Sequence, residues 1–455
     1  MHSIPSALWL WLLVPLLGAG MLGAAISQPE AVVLVLLPAL VLLPAALLFH
    51  QLPRAFIALL IVAYGIGLDV HFHGLAGDGK GIGTVVAAAV KVLPFALAAL
   101  LALRYGFATE VNWPFLALAT IAVASLVVLP VGRIGTTGEI TRSIIGATAP
   151  FVLAFAAAPR RVWDFLCKGV TAVPVISAVA GLIYGLVGPH AAIDPVLMRF
   201  HGMQNPPILA AFCVTAVFAC MLEYLRGFRL RGLAMGAVNL AVLAGTWADA
   251  ALLVAMLFLM MVFLAARGRT FPLRRKVDLA MAGMIPALLL LGPVLFHALA
   301  HLVAQEGSFD FSGRDLIRPY LLDAIEGRPL FGYGLGASRA ILDPEDSRSR
   351  LIASAAAHNE YLRLAVDAGV IGCAAVFAAI VAWIWGGTRR IASADRVVLR
   401  CALVAVLLYG VVANALVASP AVVLFAWFTA AMARAGLESP SRGWRRRHRA
   451  TAAAA

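Results

Sequence analysis

The chain has 455 residues, of which 63% are hydrophobic and only 13% charged, and its mean hydropathy is +0.96. A water-soluble domain of this composition would expose large apolar patches, so a soluble globular protein is excluded and an all-α, polytopic transmembrane helical bundle is expected. A formal charge of +13 raises the question of nucleic acid, but the basic residues sit in loops between apolar runs, which assigns them to membrane topology and leaves no nucleic-acid partner expected.

In chain order, apolar runs of near-membrane length predict spans at 7–24, 31–49, 54–70, 84–103, 113–130, 141–158, 169–188, 206–225, 231–246, 248–265, 279–302, 364–386, 397–417 and 421–436. The breaks near 246 and 418 are tight enough for re-entrant kinks, giving about 12–14 spans. The first run lacks a basic leader and precedes many others, so it reads as a retained span, not a signal peptide. One set of alternate loops carries sixteen Lys/Arg, from Arg54 through Arg160 and Arg226 to Arg396, whereas the opposite short loops carry four, Lys80, Arg133, Arg142 and Arg199. The richer set is cytoplasmic by the positive-inside rule. Residues 1–436 then form the membrane domain with both termini inside, 303–358 is a large external loop, and 437–455, with "SRGWRRRHR", is a basic cytoplasmic tail. The five cysteines, Cys167, Cys213, Cys220, Cys373 and Cys401, lack metal-site spacing and read as buried free thiols.

Charge inside hydrocarbon is costly, so the few intramembrane charges are candidates. Lys91 lies about two turns inside the fourth predicted span, where it reaches an anionic headgroup, snorkels, or pairs with Asp69 or Asp78. Glu223 and Asp249, near span ends, read as solvated or paired carboxylates.

The external loop is richer. Ser312 and Asp315 resemble a capping box, and Leu316, Ile317, Tyr320, Leu321, Ala324 and Ile325 give a helical apolar stripe, which predicts a short amphipathic helix at the membrane surface. Arg314 and Arg318 are four apart and share a face, Pro319 shifts the expected start toward Arg318, and Gly327 closes the helix. "RPLFGYGLG" follows, with Gly332, Gly334 and Gly336 alternating. Alternating glycines suit either close approach of amides to a phosphate or a tight turn packed on helix ends, and both readings stand. "DPEDSRSR" reads as a solvated charged loop. At "SAAAHNEYLRLAVDAGVIG", residues 354–372, His358 is the side chain suited to take a proton from a hydroxyl, or is a hydrogen-bonded cap. Asn359 orients it or caps the next helix, while Glu360 with Arg363, and Arg363 with Asp367, fit i,i+3 and i,i+4 ion pairs.

Arg314, then "PLFGYGLG", a polar loop and "AHNEYLRLAVDAGVIG" together resemble the bacterial O-antigen ligase and polymerase family, and "RFHGMQNPPILAAF", with Arg199, Gly202 and Asn205, is similar to a second block of that family. The resemblance implies a glycan transferase that uses an undecaprenyl-diphosphate-linked donor on the periplasmic side of the bacterial inner membrane, with no cofactor, nucleotide sugar or metal. It implies His358 as general base and Arg314 as diphosphate ligand, Arg199 and Arg318 as phosphate or glycan contacts, and Asn205, Asn359 and Lys91 as further substrate-binding candidates. The implied partners are the lipid-linked glycan, a lipid A-core or glycan acceptor and membrane lipids. A ligase is expected first; a polymerase of repeat units or a transfer to protein shares the motifs, and a lipid-linked sugar flippase is the rival from another class. Where the family often carries Ser-Arg, this chain has Ala248 and Asp249, so Lys91, Arg199 or Arg142 would supply the missing cation.

Overall fold

The computed structural model describes residues 53–68, 82–129, 137–187, 192–194, 199–266, 272–274, 276–277, 314–342, 357–416 and 419–438. The expected spans 7–24, 31–49 and 279–302, the residues Asp69, Asp78, Lys80 and Arg133, and the tail from 439 lie outside them.

Every regular element among the described residues is helical: α1 Pro53–Gly65, α2 Ile82–Tyr105, α3 Trp113–Val127, α4 Thr137–Thr148, a 3-10 segment Ala149–Phe155, α5 Arg160–Val170, α6 Val173–Val187, α7 Pro206–Leu225, α8 Arg229–Gly245, α9 Asp249–Ala265, α10 Arg314–Gly327, α11 Ala337–Ile341, α12 Glu360–Gly387, α13 Ser393–Tyr409 and α14 Ser419–Glu438. Three of these, α7, α12 and α14, are long and apolar enough to cross a membrane, or four if α5 and α6, bent by 45°, form one span. The expected run 141–158 is not one helix: it passes from α4 into the 3-10 segment at Ala149–Pro150. Proline there lacks the amide that would continue the α-helical ladder.

The core gathers around α7 and α14, whose buried faces carry Phe212, Phe218, Phe425 and Trp427. Phe218 meets Phe258 of α9 at 4.4 Å between ring centroids, and Phe425 meets Phe151 of the 3-10 segment at 4.5 Å. One end of the bundle, here the lower end, is tied by charge. Arg226, the C-cap of α7, donates from Nε and Nη2 to Asp395 at 2.9 and 2.7 Å and from Nη1 to Glu438 at 3.1 Å. Arg434 of α14 joins Glu223 of α7 at 2.6 Å and Asp164 of α5 at 3.1 Å. Glu223 is therefore the paired carboxylate expected of it.

α7 runs upward from that end in reverse, so Asn205, its N-cap, marks the upper end. α13 starts at the lower end beside Arg226 and finishes at the upper end, where Gly410 O accepts the Glu360 amide at 2.8 Å and Leu407 O accepts the Tyr361 hydroxyl at 2.8 Å. This creates a length conflict. α12 has 28 residues, about 42 Å if straight, against 17 residues and about 26 Å for α13. The excess is taken up at Gly369, whose φ of 69° and ψ of 174° interrupt the helix. Below the break, 370–387 is about 27 Å long, close to the thickness of a bilayer core. Above it, 360–368 packs with α10 and the segment after it, through Leu362 and Val366.

α10 begins at Arg314 and carries Pro319 inside it, so the expected later start is corrected. Proline in the second turn removes one early hydrogen bond, while Ile317 and Leu321 are buried with Val366 of α12 and Leu342, a burial worth about 1.5 to 3 kcal/mol per side chain. Packing outweighs the lost bond. The apolar stripe thus faces α12, with Tyr320, Ala324, Ile325 and Leu362 around it.

Candidate active site at the upper end

His358 sits between α10 and the start of α12. Its φ of 47° lies in the left-handed region, which costs a non-glycine residue about 1 kcal/mol or more and is held only by surrounding contacts. Those contacts are on both sides. Ala357 packs on the cluster of Ile317, Leu321, Leu342 and Val366. Asn359 is the N-cap of α12 and accepts the Leu362 amide through Oδ1 at 3.0 Å, a bond worth about 1 kcal/mol. His358 itself is half-buried.

Beneath it lies a buried ion triad, as the i,i+3 and i,i+4 spacings predict. Arg363 donates from Nε to Glu360 at 2.9 Å and from Nη1 to Asp367 at 2.7 Å, and both carboxylates are fully buried. Asp367 also reaches sideways: its Oδ1 accepts the Ser338 amide at 2.8 Å, capping α11. The triad therefore fastens the turn holding His358 to the segment after the glycine motif.

The two readings of that motif are now separated. Gly332 N donates to Arg328 O at 3.2 Å, Tyr333 N to Val366 O at 3.0 Å, Gly334 N to Asp367 O at 2.7 Å and Leu335 N to the Ser125 hydroxyl of α3 at 2.9 Å. In return Val370 N donates to Pro329 O at 2.8 Å. These amides are spent on the protein, so the motif is a docking turn and not a phosphate cradle. The fit is backbone on backbone: a Cβ on Gly369 would lie 2.1 Å from Leu330 O, and one on Gly332 would lie 2.5 Å from Val366 O and from Gly369 N.

The other candidates distribute as follows. Arg314 opens α10, its side chain lying outside the described residues, and Arg318 is exposed on the same helix. Arg199 and Asn205 belong to the turn entering α7. That turn is fixed by Met203 N on Ser177 O at 3.2 Å, Phe200 N on Gly245 O at 2.8 Å, and Gln204 Nε2 on Tyr64 O at 2.6 Å. Asn205 makes no side-chain cap bond to α7. Tyr64 in turn donates to Val90 O at 3.4 Å, next to Lys91, so Lys91 and the Arg199–Asn205 turn share one wall of the upper end. Arg142 lies on α4, whose Ile140 packs with Ala337 and Tyr333. Sequence reasoning missed Ser125 and Ser338. The first is an isolated hydroxyl inside "AVASLVV" and gave a faint signal; the second bonds through its amide, which no sequence marks.

The fold and this site define a class: a helical membrane protein whose polar machinery gathers at one end, on a unit docked to a broken span. Residues 207–377 match the family model for O-antigen ligase. The match runs from the start of α7 into the lower part of α12, taking in Arg314, Arg318, the docking turn and His358, and leaving out Lys91 and the Arg199–Asn205 turn. It supports O-antigen ligase- or polymerase-type function in general. No curated protein matches the chain.

Proposed function

We propose that the protein transfers a glycan from undecaprenyl diphosphate to an acceptor hydroxyl, as an O-antigen ligase, with His358 as general base at the periplasmic face of the inner membrane. His358 takes the proton as the acceptor oxygen attacks the anomeric carbon; the bond from that carbon to the phosphate oxygen breaks, and lipid diphosphate departs with the electron pair. Arg314 holds the diphosphate through a forked, permanently charged head, Arg318, Arg199 and Lys91 add positive potential, and Asn205 and Asn359 border the glycan. Exposed Leu330 and Phe331 beside the docking turn offer an apolar surface to the polyprenyl chain.

The observation that carries this reading is the placement of His358 in a left-handed turn, braced by the buried triad and by the arginine-bearing helix α10. The test is a reconstituted transfer with purified protein and lipid-linked glycan. His358→Ala is expected to lose transfer about a hundredfold or more while its unfolding temperature is retained. Unchanged turnover would remove the mechanism. Supplying lipid A-core and a second lipid-linked repeat unit as competing acceptors decides the product: consumption of the repeat unit alone would make the protein a polymerase, and transport of the donor without transfer would make it a flippase.

A further inference from the structure

The elbow between α12 and α13, at the lower end and away from the transfer chemistry, concentrates positive charge. Residues 386–404 hold Arg389, Arg390, Arg396 and Arg400 but a single acid, Asp395. That acid is buried and spent on Arg226, which donates to both of its oxygens. Arg389 is exposed, Arg396 and Arg400 are half-buried, and none of the three pairs with a carboxylate among the described residues. Arg389 and Arg396 both repel Arg400. Three like charges therefore gather with no acid among the described residues to offset them, which is costly unless an anion arrives.

The arrangement is held by neutral groups. Arg400 donates from Nε to Thr388 Oγ1 at 3.1 Å and from Nη2 to Trp385 O at 3.5 Å, and its head lies 4.0 Å from the centroid of the Trp385 ring. Arg396 donates from Nη2 to Ile391 O at 2.9 Å. These contacts orient the guanidinium groups without neutralising them, and Arg400 Nη1 has no partner among the described residues.

A second, independent feature is apolar. Arg396, Arg400, Val404 and Leu408 follow one another at intervals of four and share one face of α13. Val404 and Leu408 are exposed there, as is Trp385 alongside, so the cations stand at the foot of an apolar strip. The lower part of α12, 370–387, is about 27 Å long, which sets the elbow at the boundary between hydrocarbon and headgroup, where an exposed tryptophan is at home. A soluble anion would leave the strip unused, whereas a lipid covers it.

We propose that this elbow binds a lipid with two phosphate diesters, of the cardiolipin type, from the leaflet opposite the His358 end. One phosphate lies on Arg396 and Arg400, the other reaches Arg389, and the acyl chains run along Trp385, Val404 and Leu408. Phosphatidylglycerol brings one negative charge and leaves part of the cluster unneutralised.

The full chain, reconstituted in nanodiscs with equimolar cardiolipin and phosphatidylglycerol and then released into detergent, is examined for retained lipid by native mass spectrometry. Cardiolipin is expected to be retained over phosphatidylglycerol by about tenfold, and Arg389→Gln/Arg400→Gln to lose that retention by a similar factor. Arg229→Gln/Arg231→Gln removes the same charge from exposed positions elsewhere at the lower end and should retain cardiolipin as wild type does. If Arg389→Gln/Arg400→Gln fails to fold, Arg389→Gln alone, whose side chain is exposed, carries the test with an expected drop of about fivefold. Equal retention of the two lipids, retention unchanged on loss of Arg389, or an equal loss in Arg229→Gln/Arg231→Gln overturns the proposal. Displacement of cardiolipin by an equal concentration of inorganic pyrophosphate overturns the lipid as the source of the phosphates.

Discussion

Gly369→Ala is the sharpest perturbation of the upper end, because the native backbone at this position leaves no room for a side chain. Its φ of 69° with ψ of 174° is a region that essentially only glycine occupies, so alanine there costs about 1 to 3 kcal/mol in backbone strain alone. The added Cβ would sit 2.1 Å from Leu330 O and 2.4 Å from Phe331 N, which are main-chain atoms and cannot swing aside. Separation of the docking turn from α12 then forfeits the bonds Tyr333 N to Val366 O, Gly334 N to Asp367 O and Val370 N to Pro329 O, about 1 kcal/mol each. The expected loss is about 4 to 6 kcal/mol, concentrated at the upper end. A natural reporter lies one helical turn away: Cys373 is buried and its thiol donates to Tyr361 O at 3.7 Å. With Cys167, Cys213, Cys220 and Cys401 replaced by serine or alanine, the rate at which a maleimide labels Cys373 reads local opening. Gly369→Ala is expected to raise that rate by at least about a hundredfold and to abolish transfer, while the unfolding temperature of the rest of the bundle falls less. Gly332→Ala meets the same interface from the other side, so the double variant should cost little more than either single one. Native labelling of Cys373 in Gly369→Ala, or full additivity with Gly332→Ala, would refute the account of these glycines as two halves of one contact.

Asp367→Asn removes one of the two charges that neutralise buried Arg363 and turns an amide toward its guanidinium; a destabilisation of about 3 kcal/mol is expected. Because Asp367 also holds the Ser338 amide, trypsin should cut faster after exposed Arg339, and an unaltered digestion rate would contradict the role of Asp367 as a clasp. At the lower end, Arg226→Lys keeps the charge but loses the fork that grips Asp395. Its unfolding temperature should fall between those of wild type and Arg226→Ala, with transfer by the folded protein unchanged. A parallel loss of transfer would show that the two ends are coupled.

Local features of the site were legible in the sequence. The Asn359 cap, the Glu360, Arg363 and Asp367 pairs and the stripe of α10 each depend on residues within one or two helical turns, so spacing alone defines them. The partner of the glycine motif was not legible. Gly332 and Gly369 meet through main-chain atoms that are the same for every residue type, and they stand 37 positions apart in the sequence. The break in α12 was hidden for a related reason: glycine is common in apolar spans, and the conflict that requires a break here is one of length between α12 and its neighbour α13. Pro319 misled in the other direction, since the cost of one lost bond is visible in the sequence and the compensating burial of Ile317 and Leu321 against Val366 is not.

The way the docking turn is fastened also bears on how this protein can diversify. Its bonds to α12 run from amide to carbonyl and draw little on the identities of Leu330 or Phe331, whose side chains are left exposed beside the His358 end. Mutations that reshape this rim can therefore accumulate without loosening the frame, provided the two glycines and Asp367 stay. Under the proposed function, a lineage facing a new surface sugar would have a place to change its grip while His358 holds still.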